Sequence, residues 1–233
     1  MGREIGLMEK FTWYCFNKND ELVYQRIAEQ TPNLKVIEEG EEKFIVFIND
    51  EKQEKRKIKL KINYLDFTNV ELLELFSTRL SRIIKKAHHD AIENFSEKGP
   101  AEVVLGKSEE AIINSCLYKW SYNSENITIL SCAAEFMYRY ATEHVYENAN
   151  KRTSLLFAIY ILSYFNLYIK FDSKKYDASD WRLKLIELIT DKHAGQDDES
   201  SINELSLWIE KRVTMNYNEG SSERDDNYEK KND

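Results

Sequence analysis

The sequence predicts a mainly α-helical protein with a small α+β extension at its N-terminus. Apolar residues recur at helical spacing through most of the chain from Asp66 to Val213. By contrast, residues 43–48 are rich in strand-forming side chains, and residues 57–64 alternate apolar and basic side chains at the period of a strand. Hydrophobic residues make up 42% of the 233 residues, which is enough for a substantial core in a chain of this length.

The first third of the chain combines one helix with a small sheet. Residues 20–30 carry apolar side chains at helical spacing, and a Thr-Pro pair ends the pattern because proline cannot continue a helix. The strand-like segments 43–48 and 57–64 are separated by a highly charged stretch that is typical of a hairpin loop. We therefore predict an N-terminal α+β extension over residues 1–66. Its charged strand Lys57–Lys61 is a candidate edge for pairing with a partner chain.

Helical periodicity dominates the remainder, which we predict to form one helical domain over residues 67–213. A Thr-Asn-Val-Glu run resembles a capping box and predicts that the first of these helices is capped by Thr68. Residues 102–105 can pair as a short strand, and the polar residues 214–233 are predicted to be a disordered acidic tail. The predicted helices cover residues 68–84, 109–118, 128–142, 150–168, 181–190 and 202–213.

The composition limits the classes of partner. The net charge is −8, whereas a protein that coats nucleic acid needs clustered surplus Lys and Arg, so we expect no nucleic-acid partner. The three cysteines are widely spaced and form no C-x-x-C pair, which favours a reducing cytoplasm over a disulfide framework. The most apolar segment, residues 155–169, is interrupted by polar side chains and too short to span a bilayer, so we expect no membrane partner.

The most informative segment is the run H-V-Y-E-N-A-N-K-R at residues 144–152, which precedes a long apolar helix. A helix N-terminus presents unpaired N–H groups and a positive dipole end, both of which favour an anionic ligand. Lys151 and Arg152 add two cations at the end of the helix where cations are disfavoured, which indicates that they meet an anion. The first residue of the run, His144, carries an imidazole that is suited to take a proton from an incoming hydroxyl group.

This run resembles the signature of the Fic/Doc superfamily, H-x-[FY]-x-[DEN]-[AG]-N-[GK]-R. It is closest to the Doc (death-on-curing) branch, whose loop reads A-N-K-R-T or G-N-K-R-T. The similarity extends from about residue 88 to residue 213, and residues 89–95 correspond to the family's opening helix. The resemblance implies a Fic/Doc-type helical core.

The resemblance also implies roles for the residues of the run. His144 corresponds to the general base, and Asn150 to a donor in the anion hole. Lys151 and Arg152 correspond to the clamp on the nucleotide phosphates. Ala149 is small and leaves room for the backbone to approach the phosphate.

Asn148 occupies the position at which the family usually carries Asp or Glu, the ligand of a Mg²⁺ ion that bridges the nucleotide phosphates. An amide oxygen coordinates magnesium more weakly than a carboxylate, because hard cations favour charged oxygen ligands. The resemblance therefore predicts ATP as the nucleotide and Asn148 as the metal position, with a weakened dependence on Mg²⁺. Tyr146, which replaces the usual Phe, is predicted to anchor the loop in the core with its hydroxyl at the rim.

By resemblance, the chain is a nucleotide-dependent transferase of the Doc type. It would phosphorylate a hydroxyl of a target protein, a translation factor in the family's best-known case, and act as the toxin of a toxin–antitoxin pair. AMP-transferring members carry Gly and a second Arg where this chain has Lys151 and Leu155, so an adenylyltransferase with a modified loop is the alternative. A catalytically weak module that binds a nucleotide or a partner is the rival from another class.

One further motif is interpreted as structural. His88-His89-Asp90 is similar to a metal site of the HD type, but no distant His/Asp set accompanies it. We therefore expect these residues to lie on a helix surface.

Overall fold

The computed structural model describes residues 10–49, 54–93, 102–170 and 178–215. Its N-terminal part contains β1 (Lys10–Cys15), α1 (Lys18–Gln30), β2 (Leu34–Glu39), β3 (Glu42–Asn49) and β4 (Glu54–Tyr64). The following part contains α2 (Val70–Glu93), α3 (Glu109–Tyr122), α4 (Ile129–Thr142), α5 (Asn150–Tyr164), β5 (Leu167–Ile169), α6 (Ala178–His193), α7 (Asp198–Glu210) and β6 (Val213–Met215). The predicted fold class, mainly α with an N-terminal α+β region, is confirmed.

The four N-terminal strands form a sheet in the order β1-β4-β3-β2. β4 runs parallel to β1 and antiparallel to β3, and β3 runs antiparallel to β2. One face of the sheet is buried, with Trp13, Ile45 and Ile58 almost inaccessible to solvent. β4 lies between β3 and β1 in the sheet order, but it pairs with β3 through residues 54–59 and with β1 through residues 59–64, so only Lys59 is paired on both sides. The role of the charged strand Lys57–Lys61 in pairing with a partner chain stays a prediction.

Helix α4 lies at the centre of the helical part. Eleven of its fourteen residues are buried, and it packs against α5 and α7 most extensively. A capping box begins the helix, since Thr128 and Ser131 each accept a backbone N–H of the other through the side-chain oxygen. Helix α5 in turn packs against α2 on another side. The motif run 144–152 therefore connects two helices whose positions are fixed by the core.

The predicted extension and the helical part share one hydrophobic core. The ring of Phe67 lies with its centroid 4.7 Å from that of Phe16 and 6.2 Å from that of Trp120. Phe16 also contacts Phe165, at the end of α5, with the ring centroids 5.9 Å apart. Because aromatic side chains from both sides of residue 66 pack together, removing residues 1–66 would expose the interior of the helical part to water.

Hydrogen bonds also join the two parts of the chain on either side of residue 66. Asn17 caps α1 and donates its amide to the carbonyls of Ser124 and Ile127, at 2.7 Å each. Asp20 is fully buried, and its carboxylate accepts the backbone N–H of Ile129 at 2.9 Å and that of Phe16 at 3.1 Å. One side chain of α1 therefore helps to cap α4 while it also orders the turn after β1.

Several predicted element ends are displaced. The helix predicted from Thr68 begins at Val70, because Asn69 accepts the N–H of Leu72 whereas the Thr68 hydroxyl donates to Asp66. The prediction of helix 150–168 is wrong beyond residue 164, since Asn166 adopts a left-handed backbone (φ 60°) and β5 follows.

The last helix, predicted over 202–213, begins at Asp198 and ends at Glu210, so both of its ends lie earlier in the chain than predicted. The first two residues of the predicted disordered tail, Thr214 and Met215, belong to β6, which pairs antiparallel with β5. The remaining residues of the tail, 216–233, lie outside the described residues.

The opening helix predicted over residues 89–95 is not a separate helix. Its residues as far as Glu93 form the end of the 24-residue helix α2, and residues 94 and 95 are not described. Among the described helices, none is long and apolar enough to cross a membrane.

The buried Asp20 predicts a pH dependence of stability. Burial raises the pKa of Asp20 to about 7, although two backbone N–H groups oppose the shift. Between about pH 4 and pH 7 the folded chain therefore holds a proton that the unfolded chain has released, and the free energy of unfolding falls as pH rises through this window. Its titratable neighbours Cys15 and Tyr24 stay protonated there, because burial raises the pKa of both.

Urea unfolding at pH 5 and pH 8, compared between wild type and Asp20→Asn, measures this effect. We expect the loss of stability on going from pH 5 to pH 8 to be smaller in the variant, which has no proton to release. An equal loss in both proteins would contradict the assignment to Asp20.

Candidate functional site

The motif run forms a tight connection between α4, which ends at Thr142, and α5, which begins at Asn150. Two of its residues adopt the left-handed backbone that is unusual for residues other than glycine, His144 with φ 49° and Ala149 with φ 60°. The side chain of His144 is exposed, whereas Val145 and Tyr146 are buried. The loop therefore presents an imidazole to solvent from a backbone that the surrounding contacts hold in a strained conformation.

The N-terminus of α5 has the properties expected of an anion site. Ala149 occupies the N-cap position and, among the described residues, no side chain caps the helix there. The backbone N–H of Thr153 bonds the carbonyl of Ala149 at 2.9 Å and starts the helical ladder. Lys151 is exposed and Arg152 is half-buried, so both cations lie in the first turn. The N–H groups and the helix dipole favour an anion at this end, and the two cations belong to the same helical turn.

Asn150 is engaged inside the loop. Its Nδ2 donates to the carbonyl of Tyr146 at 2.6 Å, and its Oδ1 accepts the N–H of the same residue at 2.9 Å. The side chain is buried, so loss of either bond would leave a buried polar group unsatisfied at a cost in stability. In this conformation Asn150 therefore holds the shape of the loop, whereas the resemblance assigns it a donor role in the anion hole.

Asn148 is also engaged by the loop. Its Oδ1 accepts the backbone N–H of Ala149 at 2.7 Å, which helps to keep that residue in its left-handed conformation. In the part of the chain that is described, no group of three or more His, Cys, Asp or Glu side chains is placed to hold a metal ion. One lone pair of the oxygen expected at the metal position therefore serves the loop, and the role of Asn148 toward Mg²⁺ stays a prediction.

Tyr146 anchors the loop from below. Its ring is 2% exposed and lies parallel to the imidazole of His88, with 3.6 Å between the ring centroids and an interplanar angle of 7°. Its hydroxyl donates to Glu109, in the first turn of α3, at 2.5 Å. Burial and this carboxylate raise the pKa of Tyr146, so the phenol stays protonated and remains a donor. The predicted core anchor agrees with these contacts, although the hydroxyl points to α3.

A short extended segment crosses the loop on another side. The N–H of Val104 bonds the carbonyl of Val145 at 2.9 Å, and the N–H of Glu147 bonds the carbonyl of Glu102 at 3.1 Å. These two bonds make an isolated antiparallel bridge between Val103 and Tyr146. The predicted strand 102–105 pairs with the motif loop and restricts it further.

His88 is the residue of this site that the sequence did not reveal. The prediction that the His88-His89-Asp90 run lies on a helix surface holds for His89, which is exposed and pairs with Glu93 at 3.2 Å. It is wrong for His88, which is 7% exposed and has its Nδ1 3.0 Å from the hydroxyl of Thr153. The spacing could have predicted its burial, since Leu80, Ile84 and His88 recur every four residues on the buried face of α2.

Two shallow clefts are found elsewhere, between α2 and α3. One of about 390 Å³ is lined by polar side chains that include Ser81, Arg82 and Lys85, and one of about 530 Å³ is lined by residues that include Leu73 and Tyr118. They share Ser77, Thr78 and Asn114 but contain no residue of the motif run. The clefts and the motif loop are therefore separate features.

No family model matches this chain, and a comparison with curated proteins finds no match. The resemblance to the Fic/Doc superfamily therefore stays a prediction from the motif residues 144–152.

The double hydrogen bond between Asn150 and the backbone of Tyr146 predicts a stability effect. Asn150→Ala leaves a buried N–H and a buried carbonyl without these partners, so we expect a loss of about 1–3 kcal/mol in the free energy of unfolding. Asn148→Ala removes one bond at a half-buried position and should cost less. Urea unfolding measures the free energy of unfolding of both variants. Equal losses would show that the two hydrogen bonds of Asn150 contribute no more to stability than the single bond of Asn148.

Proposed function

We propose that the protein is a nucleotide-dependent transferase of the Doc type, which moves a phosphoryl group from ATP to a Ser or Thr hydroxyl of a target protein. The observation that carries the proposal is the N-terminus of α5. It has no side-chain cap among the described residues, follows a small residue in a left-handed conformation, and bears Lys151 and Arg152 in its first turn. Such an end is suited to polyphosphate oxygens.

In the proposed reaction, His144 accepts the proton of the target hydroxyl. Its exposure at the start of the loop supports this role, because a protein target must reach the base from solvent. The hydroxyl oxygen bonds the γ-phosphorus as the bond to the β-phosphate oxygen breaks, and ADP carries away the negative charge. Lys151, Arg152 and the N–H groups of α5 stabilise the charge on the transferred and leaving groups.

Lys151 favours phosphate transfer over AMP transfer. By resemblance, AMP-transferring members carry glycine at this position and a second arginine where this chain has Leu155, a half-buried residue of α5. An apolar side chain there removes one phosphate contact, while Lys151 adds a charge at the loop. An adenylyltransferase with this modified loop remains the alternative.

A weak nucleotide-binding or partner-binding module is the second candidate, and one observation favours it. The oxygens of Asn148 and Asn150 both accept backbone N–H groups within the loop. A loop with these internal bonds can accept phosphate on its helix end while lacking a firm metal ligand. Binding of ATP without any transfer under Mg²⁺ or Mn²⁺ distinguishes this module from the enzyme.

The proposal extends to the setting of the reaction. We propose a cytoplasmic toxin that is paired with an antitoxin protein, with a protein target and no nucleic-acid partner. Cys15, Cys116 and Cys132 are buried and unpaired, which is compatible with a reducing compartment.

His144→Ala tests the enzymatic proposal. Loss of the general base should lower transfer by about 10²–10⁴-fold, while the fold and the affinity for ATP stay nearly unchanged. Purified wild type and variant are incubated with a cell extract and with ATP labelled at either the α- or the γ-phosphate. Protein labelling from γ-labelled ATP alone indicates phosphate transfer, and labelling from α-labelled ATP indicates AMP transfer.

His193→Ala is a matched control, because His193 is an exposed histidine at the end of α6. It should transfer label as well as wild type. Undiminished labelling by His144→Ala would overturn the role of His144. Calorimetric titration with ATP shows separately whether the nucleotide still binds.

Asn148→Asp tests the metal position. An aspartate can accept the Ala149 N–H as Asn148 does and offers a second, charged oxygen to Mg²⁺. Transfer should be preserved or raised, and half-maximal activity should occur at a lower Mg²⁺ concentration. If activity collapses at every Mg²⁺ concentration, the residue serves the loop and not the metal.

A further inference from the structure

We infer that His88 is a positioning residue of the proposed transferase, which holds the motif loop against the first turn of α5 through one ring face and its Nδ1 atom. The inference rests on the proposed function for its catalytic consequence. Its structural basis is independent of that function, because it consists of contacts between buried residues of α2, the loop and α5.

The first contact is the ring stack between His88 and Tyr146. Parallel rings with 3.6 Å between their centroids are in full van der Waals contact, so Tyr146 cannot tilt without displacing the imidazole. The phenol oxygen is held at the same time by Glu109. The ring of Tyr146 is therefore fixed at its face by α2 and at its tip by α3.

The second contact joins His88 to α5. Its Nδ1 lies 3.0 Å from the hydroxyl of Thr153, which is wholly buried in the first turn of that helix. A directed hydrogen bond between buried groups tolerates little rotation. One imidazole therefore sets the position of the loop relative to the helix end that bears Lys151 and Arg152.

The consequence for the proposed reaction follows from the order of residues along the chain. Tyr146 lies two residues after His144, and its backbone is clamped by Asn150 at the start of α5. Tyr146 therefore connects the proposed general base to the helix end that is proposed to bind phosphate. A misplacement of about 1 Å between base and phosphate can cost on the order of 10²-fold in rate.

The stack and the hydrogen bond can be separated by substitution. His88→Phe keeps a flat ring over Tyr146 and leaves the Thr153 hydroxyl without its nitrogen partner. Combining it with Thr153→Val replaces both bonding partners by apolar groups of similar shape, which restores stability when the bond serves stability alone. His89→Phe, at the exposed neighbour of His88, is the control.

The experiment compares these variants by thermal unfolding, by transfer of γ-labelled phosphate, and by hydrogen exchange of peptides that cover residues 143–150. We expect His88→Phe/Thr153→Val to unfold within a few degrees of wild type. We also expect it to transfer phosphate at least about tenfold more slowly, because the base and the phosphate-binding helix end are then held less firmly. Its loop amides should exchange faster than those of wild type and of His89→Phe.

The outcomes are distinguishable. If the double variant regains wild-type transfer and wild-type exchange together with stability, His88 has no positioning role and the inference is overturned. If wild type neither binds ATP nor transfers label, the proposed function fails. The exchange of the loop amides then decides the structural lock on its own: faster exchange supports it and unchanged exchange overturns it.

Discussion

The burial of α4 is the constraint on which the rest of the structure depends. The helix is covered by α5 and α7 and begins at a capping box that the N-terminal part reaches through Asp20. Eleven of its fourteen residues are buried, so α4 is surrounded by close-packed neighbours that cannot shift against it without disturbing the core. The positions of α5 and of the loop before it are therefore consequences of core packing, and the chemistry proposed for the loop is built on a rigid base.

The loop itself is held from several directions by bonds of different kinds. Asn150 binds the backbone of Tyr146, segment 102–104 pairs with residues 145–147, and His88 covers the ring of Tyr146. Left-handed residues at both ends cost conformational energy, and these contacts offset that cost. The backbone groups of Tyr146 are thus hydrogen-bonded, while the side chains of His144 and Lys151 are exposed to solvent.

The sequence predicted the parts of this structure that depend on local pattern. Periodicity located the buried helix 128–142, the start of the helix predicted over 150–168, and the strands around residues 43–48 and 57–64, because apolar spacing reflects burial directly. It did not reveal that residues 1–66 share the core of the helical part, since such packing joins residues far apart in the chain. Helix ends were displaced for a different, local reason: Asn69 caps a helix and Asn166 adopts a left-handed backbone, and apolar spacing encodes neither.

The parallel pairing of β1 with β4 has a consequence for the order in which the chain can fold. β1 finds its partner strand only after the whole α1–β2–β3 segment has been made, and Tyr24 bonds the carbonyl of Phe165 much later in the chain. The last described strand returns to the same region, where the N–H of Met215 bonds the hydroxyl of Thr31. Contacts of such long sequence separation form slowly. During synthesis, the contacts of α1 with Phe165 and Met215 can therefore form only after most of the chain has left the ribosome, and until then part of its apolar surface is exposed to aggregation.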